Sequence, residues 1–118
     1  MRIEITYGIG FDKAGKPLDP VDVREATKSV MVEACRLAGG CNIINGQGAW
    51  LNPYGHLVVE ETRTIVLDLS AGGRSRQEEI ENFARWVARM FDQQSVHVAT
   101  HPDVTADNLE QWLAHPVA

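Results

Sequence analysis

The spacing of apolar residues in this chain switches between period two and helical period in a fixed order, and that order limits the folds open to it. Over residues 2–9, Ile3, Ile5, Tyr7 and Ile9 alternate with Arg2, Glu4, Thr6 and Gly8, which predicts a strand with one buried face. The polar segment Phe11 to Pro17 follows, punctuated by Gly15 and Pro17, and reads as a loop. Asp19-Pro20 then opens a helix: the carboxylate accepts from free backbone amides, and proline at the first helical position forfeits no hydrogen bond. Val23, Ala26, Val30, Ala34 and Leu37 keep helical spacing, widened by Met31 and Cys35, until Gly39-Gly40 stops the helix. Its expected span is about 21–38.

A hairpin comes next. Asn52-Pro53-Tyr54-Gly55 has the residues of a type I turn, between arms at 42–51 and 56–69. Gly46 and Gly48 in the first arm suggest a bulge or a close backbone approach. The second arm has conflicting parity, because Ile65, Leu67 and Leu69 share a face with the charged Glu61 and Arg63. A bulge, or projection of the hairpin past the helices, would resolve that conflict. Ser75 to Glu78 reads as a capping box before Ile80, Phe83, Ala84, Val87, Ala88 and Phe91, the stripe of a second helix. Val96 and Val98 alternate with polar neighbours in a last short strand, Pro102 ends it, and Thr105 could cap a tail helix through Trp112-Leu113. Strand, helix, strand, strand, helix, strand predicts an α+β, ferredoxin-like βαββαβ domain: a four-stranded antiparallel sheet with two helices on one face. Residues 1–101 form that domain and 102–118 its C-terminal tail.

Composition excludes several function classes. With 118 residues the chain fits one domain, and 16 acidic against 11 basic residues give a formal charge of −5, which repels phosphate backbones. Arg74, Arg76, Arg85 and Arg89 are interleaved with Glu78, Glu79 and Glu81, so no basic patch forms and no nucleic-acid partner is expected. The sequence lacks a run of apolar residues long enough to span a membrane. Arg2 and Glu4 interrupt what would be a signal core, so a cytoplasmic protein without a membrane partner is expected. Cys35 and Cys41 are too few for a disulfide scaffold. They read as reduced, buried thiols with diverging side chains.

Tyr7-Gly8, Gly48-Ala49-Trp50, Gly55, Glu60 and Thr62, with Arg63 following, resemble the pattern of an uncharacterised bacterial α+β family, a domain of unknown function. The resemblance spans roughly residues 4 to 98 and departs from the family at the short connection Gly39-Gly40-Cys41 and after Pro102. It implies the fold and carries no activity.

Glu60, Glu61, Thr62 and Arg63 could place a carboxylate and a guanidinium on the open sheet face, or they could be ordinary cross-strand charge pairs. His97, His101 and Asp103, with His56, lack the spacing of a metal frame, so no metal and no cofactor are expected. Neither Gly8-Ile9-Gly10 nor Gly46-Gln47-Gly48 continues as a phosphate loop into a helix, and no serine sits in a nucleophile elbow. Trp86 lies beside the stripe of the second helix and suggests a subunit contact, or simply a wider core.

Three functional readings follow, one of them a structural or inhibitory accessory protein, which small size, acidity and the absence of motifs fit as well as they fit the first below. The first is a non-enzymatic binding module acting as a homodimer, with a small ligand held by Trp50, Glu60, Thr62, Arg63 and His97, and contacts through Trp86, Val58 and Val66. The second is a small cofactor-free enzyme on the open face, with Glu60 as general base, His97 as a second proton-transfer group and Arg63 as an anion clamp. That reading requires Glu60 and His97 to share a cavity.

Overall fold

Ile3, Ile5 and Tyr7 are buried while the residues between them are not, and this alternation fixes which side of the sheet carries the helices. The computed structural model describes residues 1–69 and 76–101. Its elements run β1 (Arg2–Gly8), α1 (Pro20–Ala38), β2 (Asn42–Leu51), β3 (Leu57–Asp68), α2 (Gln77–Met90) and β4 (His97–His101). The strands lie in the order β2-β3-β1-β4, and every neighbouring pair is antiparallel. This is the ferredoxin-like α+β arrangement that the periodicity predicts.

Ile3, Ile5 and Tyr7 of β1 and Ile65 and Leu67 of β3, with Leu69 just past it, meet Val23, Val30 and Ala34 of α1 and Ile80, Phe83, Ala84 and Val87 of α2 in one core. Each fully buried isoleucine or leucine contributes about 1.5–3 kcal/mol over leaving it exposed. Asp19 caps α1 through its side chain, which accepts from the Val21 amide at 2.8 Å, and Gly39 closes the helix in the left-handed region at φ 79°. At the turn, the Asn52 side chain accepts from the amides of Tyr54 and His56, and Gly55 adopts φ 78°.

The structure settles two open alternatives and departs from the sequence reading at the thiols. Gly46 and Gly48 cause no bulge, since the β2–β3 register runs unbroken from Asn42↔Val66 to Leu51↔Leu57. They allow a close approach instead: a Cβ on Gly46 would lie 3.2 Å from the Thr62 hydroxyl, and one on Gly48 would lie 3.1 Å from its methyl group. The β1–β3 register is also continuous, so Arg63 does face the helices, where its guanidinium donates to the Thr27 hydroxyl at 2.5 Å. Glu61 is exposed on the projecting part of the hairpin, which resolves the parity conflict by projection.

Helix α2 begins at Gln77 with Arg76 at its cap and no side-chain cap bond; Ser75 lies outside the described residues. Arg76 instead bridges to Glu79 and to the Leu37 carbonyl at the end of α1. The two thiols do not diverge. Cys35 is exposed and Cys41 half-buried; burial first, then the charge and hydrogen bond of Cys35, push the Cys41 thiol pKa up. The expected tail helix and Asp103 lie outside the described residues.

Candidate ligand site on the open sheet face

The pairing registers place Thr6 and Gly8 of β1, Trp50 of β2, Val58, Glu60 and Thr62 of β3, and His97 of β4 on the face that carries no helix. Directly opposed pairs share a face, so Gly8↔Thr62, Gly48↔Glu60 and Trp50↔Val58 tie the family's scattered motif into one surface. Thr6 and Thr64 join hydroxyls across the middle of this face at 2.8 Å. Arg2, Glu4 and His101 occupy its far end, with an Arg2–Glu4 ion pair at 2.9 Å and His101 within 3.2 Å of Glu4.

Around Glu60 the surface sinks into a cavity of about 690 Å³, within the range of small-molecule sites. Trp50, Val58, Thr6 and His97 contribute strand walls, while Phe11, Lys13 and Gln93 close the side beyond the strands. That outer wall is built from the loop after β1. The Asp12 side chain accepts from the amides of Ala14 and Lys16, which folds the loop on itself. Gln93 donates to the Phe11 carbonyl at 2.7 Å, the Lys13 amide donates to the Asp92 carbonyl at 2.7 Å, and the Lys13 ammonium pairs with the Asp92 carboxylate at 3.3 Å. The loop is thereby pinned to the residues that follow α2.

Glu60 sits where two glycines make room for it. A Cβ on Gly8 would overlap its carboxylate, and one on Gly10 would come within 3.1 Å of its Cβ. The carboxylate oxygen Oε2 is fully buried and has no hydrogen-bond partner. Leaving such a group unpaired is costly, on the order of 1–3 kcal/mol or more for a charged acceptor. On the other side of the sheet, Tyr7 stacks on Phe91 with ring centroids 4.5 Å apart, and its hydroxyl is also buried without a partner. Burial pushes the Tyr7 pKa up to about 12, partly offset by the nearby Arg63 charge.

The structure therefore brings together Trp50, Glu60, Val58 and His97, with Thr62 on the same face, and it removes Arg63 from the group. Residues 60 and 63 point to opposite faces of one strand, and Arg63 is engaged with Thr27 of α1. Val66 lies on the open face and is 9% exposed in the single chain. Trp86 sits half-buried against the core, 5.9 Å from Phe83 by ring centroids, and lines the groove between the two helices. Among the described residues no three His, Cys, Asp or Glu side chains are placed to hold a metal ion. Sequence reasoning missed Gly8, Gly10, Phe11 and Gln93; the pairing of Tyr7-Gly8 with Glu60 in one motif was the available signal.

Residues 4–106 match the model of a family described as "Protein of unknown function (DUF3574)". The chain belongs to that family. No curated protein sequence matches it. Among solved structures, a phage SAM lyase in its apo state has 20% sequence identity, covering 82% of this chain and 75% of that one, with a TM-score of 0.61. A phage SAM lyase in complex with S-methyl-5′-thioadenosine gives 18% identity over 82% and 76% of the two chains, also at 0.61. The periplasmic divalent cation tolerance protein CutA from Archaeoglobus fulgidus gives 14% identity over 93% of each chain, at 0.54. At these identities the likeness shows the shared fold alone. No helix among the described residues is long and apolar enough to cross a membrane.

Proposed function

We propose that this protein is a non-enzymatic small-molecule-binding module acting as a homodimer, with its ligand seated in the open-face cavity around Glu60. The observation that carries the reading is the Glu60 carboxylate, one oxygen buried and unpartnered, against two glycines at a cavity of ligand size. A buried acceptor of this kind is satisfied when a ligand donor reaches it. A neighbour of the same fold holds S-methyl-5′-thioadenosine, whose flat purine and sugar hydroxyls would suit Trp50 and Glu60. Calorimetric titration with that compound tests the site. Binding that weakens about tenfold or more in Glu60→Gln supports it. Absence of binding, or binding indifferent to the substitution, removes that ligand from the site.

The homodimer rests on the outer edge of β2, which carries no charged residue along its ten positions, and on the exposed Leu51, Tyr54 and Leu57 at the hairpin tip. Uncharged edges of this length invite pairing with another chain. Two free cysteines fit a reducing, cytoplasmic setting.

A second reading is favoured by one specific observation: Glu60 and His97 line the same cavity, as proton-transfer partners require. In that reading Glu60 is the general base, His97 the second group, and Arg63 takes no part. Incubation with SAM, followed by a search for S-methyl-5′-thioadenosine, distinguishes turnover from simple binding.

A further inference from the structure

We propose that the Glu60 cavity selects a small organic cation, an ammonium or sulfonium group held between the Glu60 carboxylate and the face of Trp50. The inference rests on the reading of this cavity as a ligand site and adds the charge of what enters it.

The electrostatics of the walls carry it. The ionisable side chains at the cavity are Tyr7, Asp12, Lys13, Glu60 and His97, and burial keeps the Tyr7 phenol neutral. The Lys13 ammonium is already paired with Asp92 at 3.3 Å, and the Arg63 guanidinium lies across the sheet on Thr27. Among the described residues no Lys or Arg side chain pairs with Glu60, its Oε2 has no donor, and His97 lines the cavity without bonding to it. Buried charges are stable when paired, so the missing counter-charge is one the ligand can supply.

A second wall makes the same demand independently. Trp50 is 44% exposed, shares the open face with Glu60, and stacks on no other ring among the described residues. Indole presents the most electron-rich face of the protein side chains, and a cation set over it gains about 0.5–2 kcal/mol. Trp50 pairs with Val58 and Gly48 with Glu60, so the two side chains stand on adjacent strands two residues apart. Both side chains line the same cavity, which is large enough to admit a small cationic group. Among the described residues no three carboxylate, thiolate or imidazole groups are placed to hold a metal ion, so the site suits an organic cation instead. The formal charge of −5 draws cations toward the surface as a whole.

Choline and 3,3-dimethylbutan-1-ol have the same shape and differ in charge, so titrating the purified protein with each at low salt isolates the inference. Choline is expected to bind roughly tenfold more tightly than the alcohol. Glu60→Gln should abolish the preference and Trp50→Leu should reduce it, with thermal melts confirming that both variants fold. Equal affinity for the two probes overturns the cation while leaving the cavity as a ligand site. A preference that survives Glu60→Gln overturns the assignment to this carboxylate. If neither probe binds, the inference fails, and the S-methyl-5′-thioadenosine titration then judges the cavity separately.

Discussion

At the scale of single residues, Glu60 owes its position to the absence of side chains at Gly8 and Gly10. A methyl group at position 8 must displace the carboxylate or push β1 from β3, at a cost of about 1–3 kcal/mol. Gly8→Ala is therefore expected to lower the urea midpoint in the native background. In a Glu60→Ala background, where the obstacle is gone, the same substitution should cost much less. An equal cost in both backgrounds would show that the glycine serves the backbone alone. This dependence was hidden in the sequence. Gly8-Ile9-Gly10 looked like a failed phosphate loop because the two glycines acquire their meaning only when the β1–β3 register sets Gly8 opposite Thr62, beside Glu60. Glu60 itself was legible as a site candidate, whereas its companionship with Arg63 was an artefact of sequence adjacency that strand alternation undoes.

At the scale of elements, the most informative one is β2. Asn42 to Leu51 has two glycines and no charge, and it forms one edge of the sheet. Protected edges usually carry lysine, proline or a bulge, none of which occurs here. Ile44, half-exposed on the open face, is the position at which a charge would supply that protection. Light scattering at micromolar concentration is expected to show a dimer for the native chain and a monomer for Ile44→Lys, with unchanged circular dichroism. A native monomer would remove the proposed dimer. The helices were readable because their stripes are long and their breaks chemically explicit, Asp19-Pro20 and Gly39 above all. The cap expected at Ser75 lies outside the described residues, and Arg76 beside it pairs with Glu79 and the end of α1.

At the scale of the whole molecule, two helices on one face leave the other face mixed: a polar ladder along β1 and β4, and Ile44, Trp50, Val58 and Val66 on β2 and β3. The order of elements, and with it the fold, followed from periodicity alone. The depth of the core set another property that periodicity does not report. Tyr7 ionises near pH 10 in an unfolded chain and only near 12 in the fold, so the unfolded state releases its proton first as pH rises. Its contribution is fully present below pH 10 and is lost as pH climbs through about 12, a change on the order of 2–3 kcal/mol. Denaturant titrations across that interval should show the native protein weakening more steeply than Tyr7→Phe, which keeps the Phe91 stack and has no proton to lose. Parallel curves would mean that Tyr7 does not govern alkaline unfolding.

The strap from Phe11 to Pro17 gives the cavity an unusual mechanical partner. Because Gln93 and Asp92 grip Phe11 and Lys13, the outer wall of the hollow and the chain just past α2 are fastened to the same short stretch. Shortening or cutting that stretch would therefore loosen two structures at once, the rim of the hollow and the chain as it leaves the second helix.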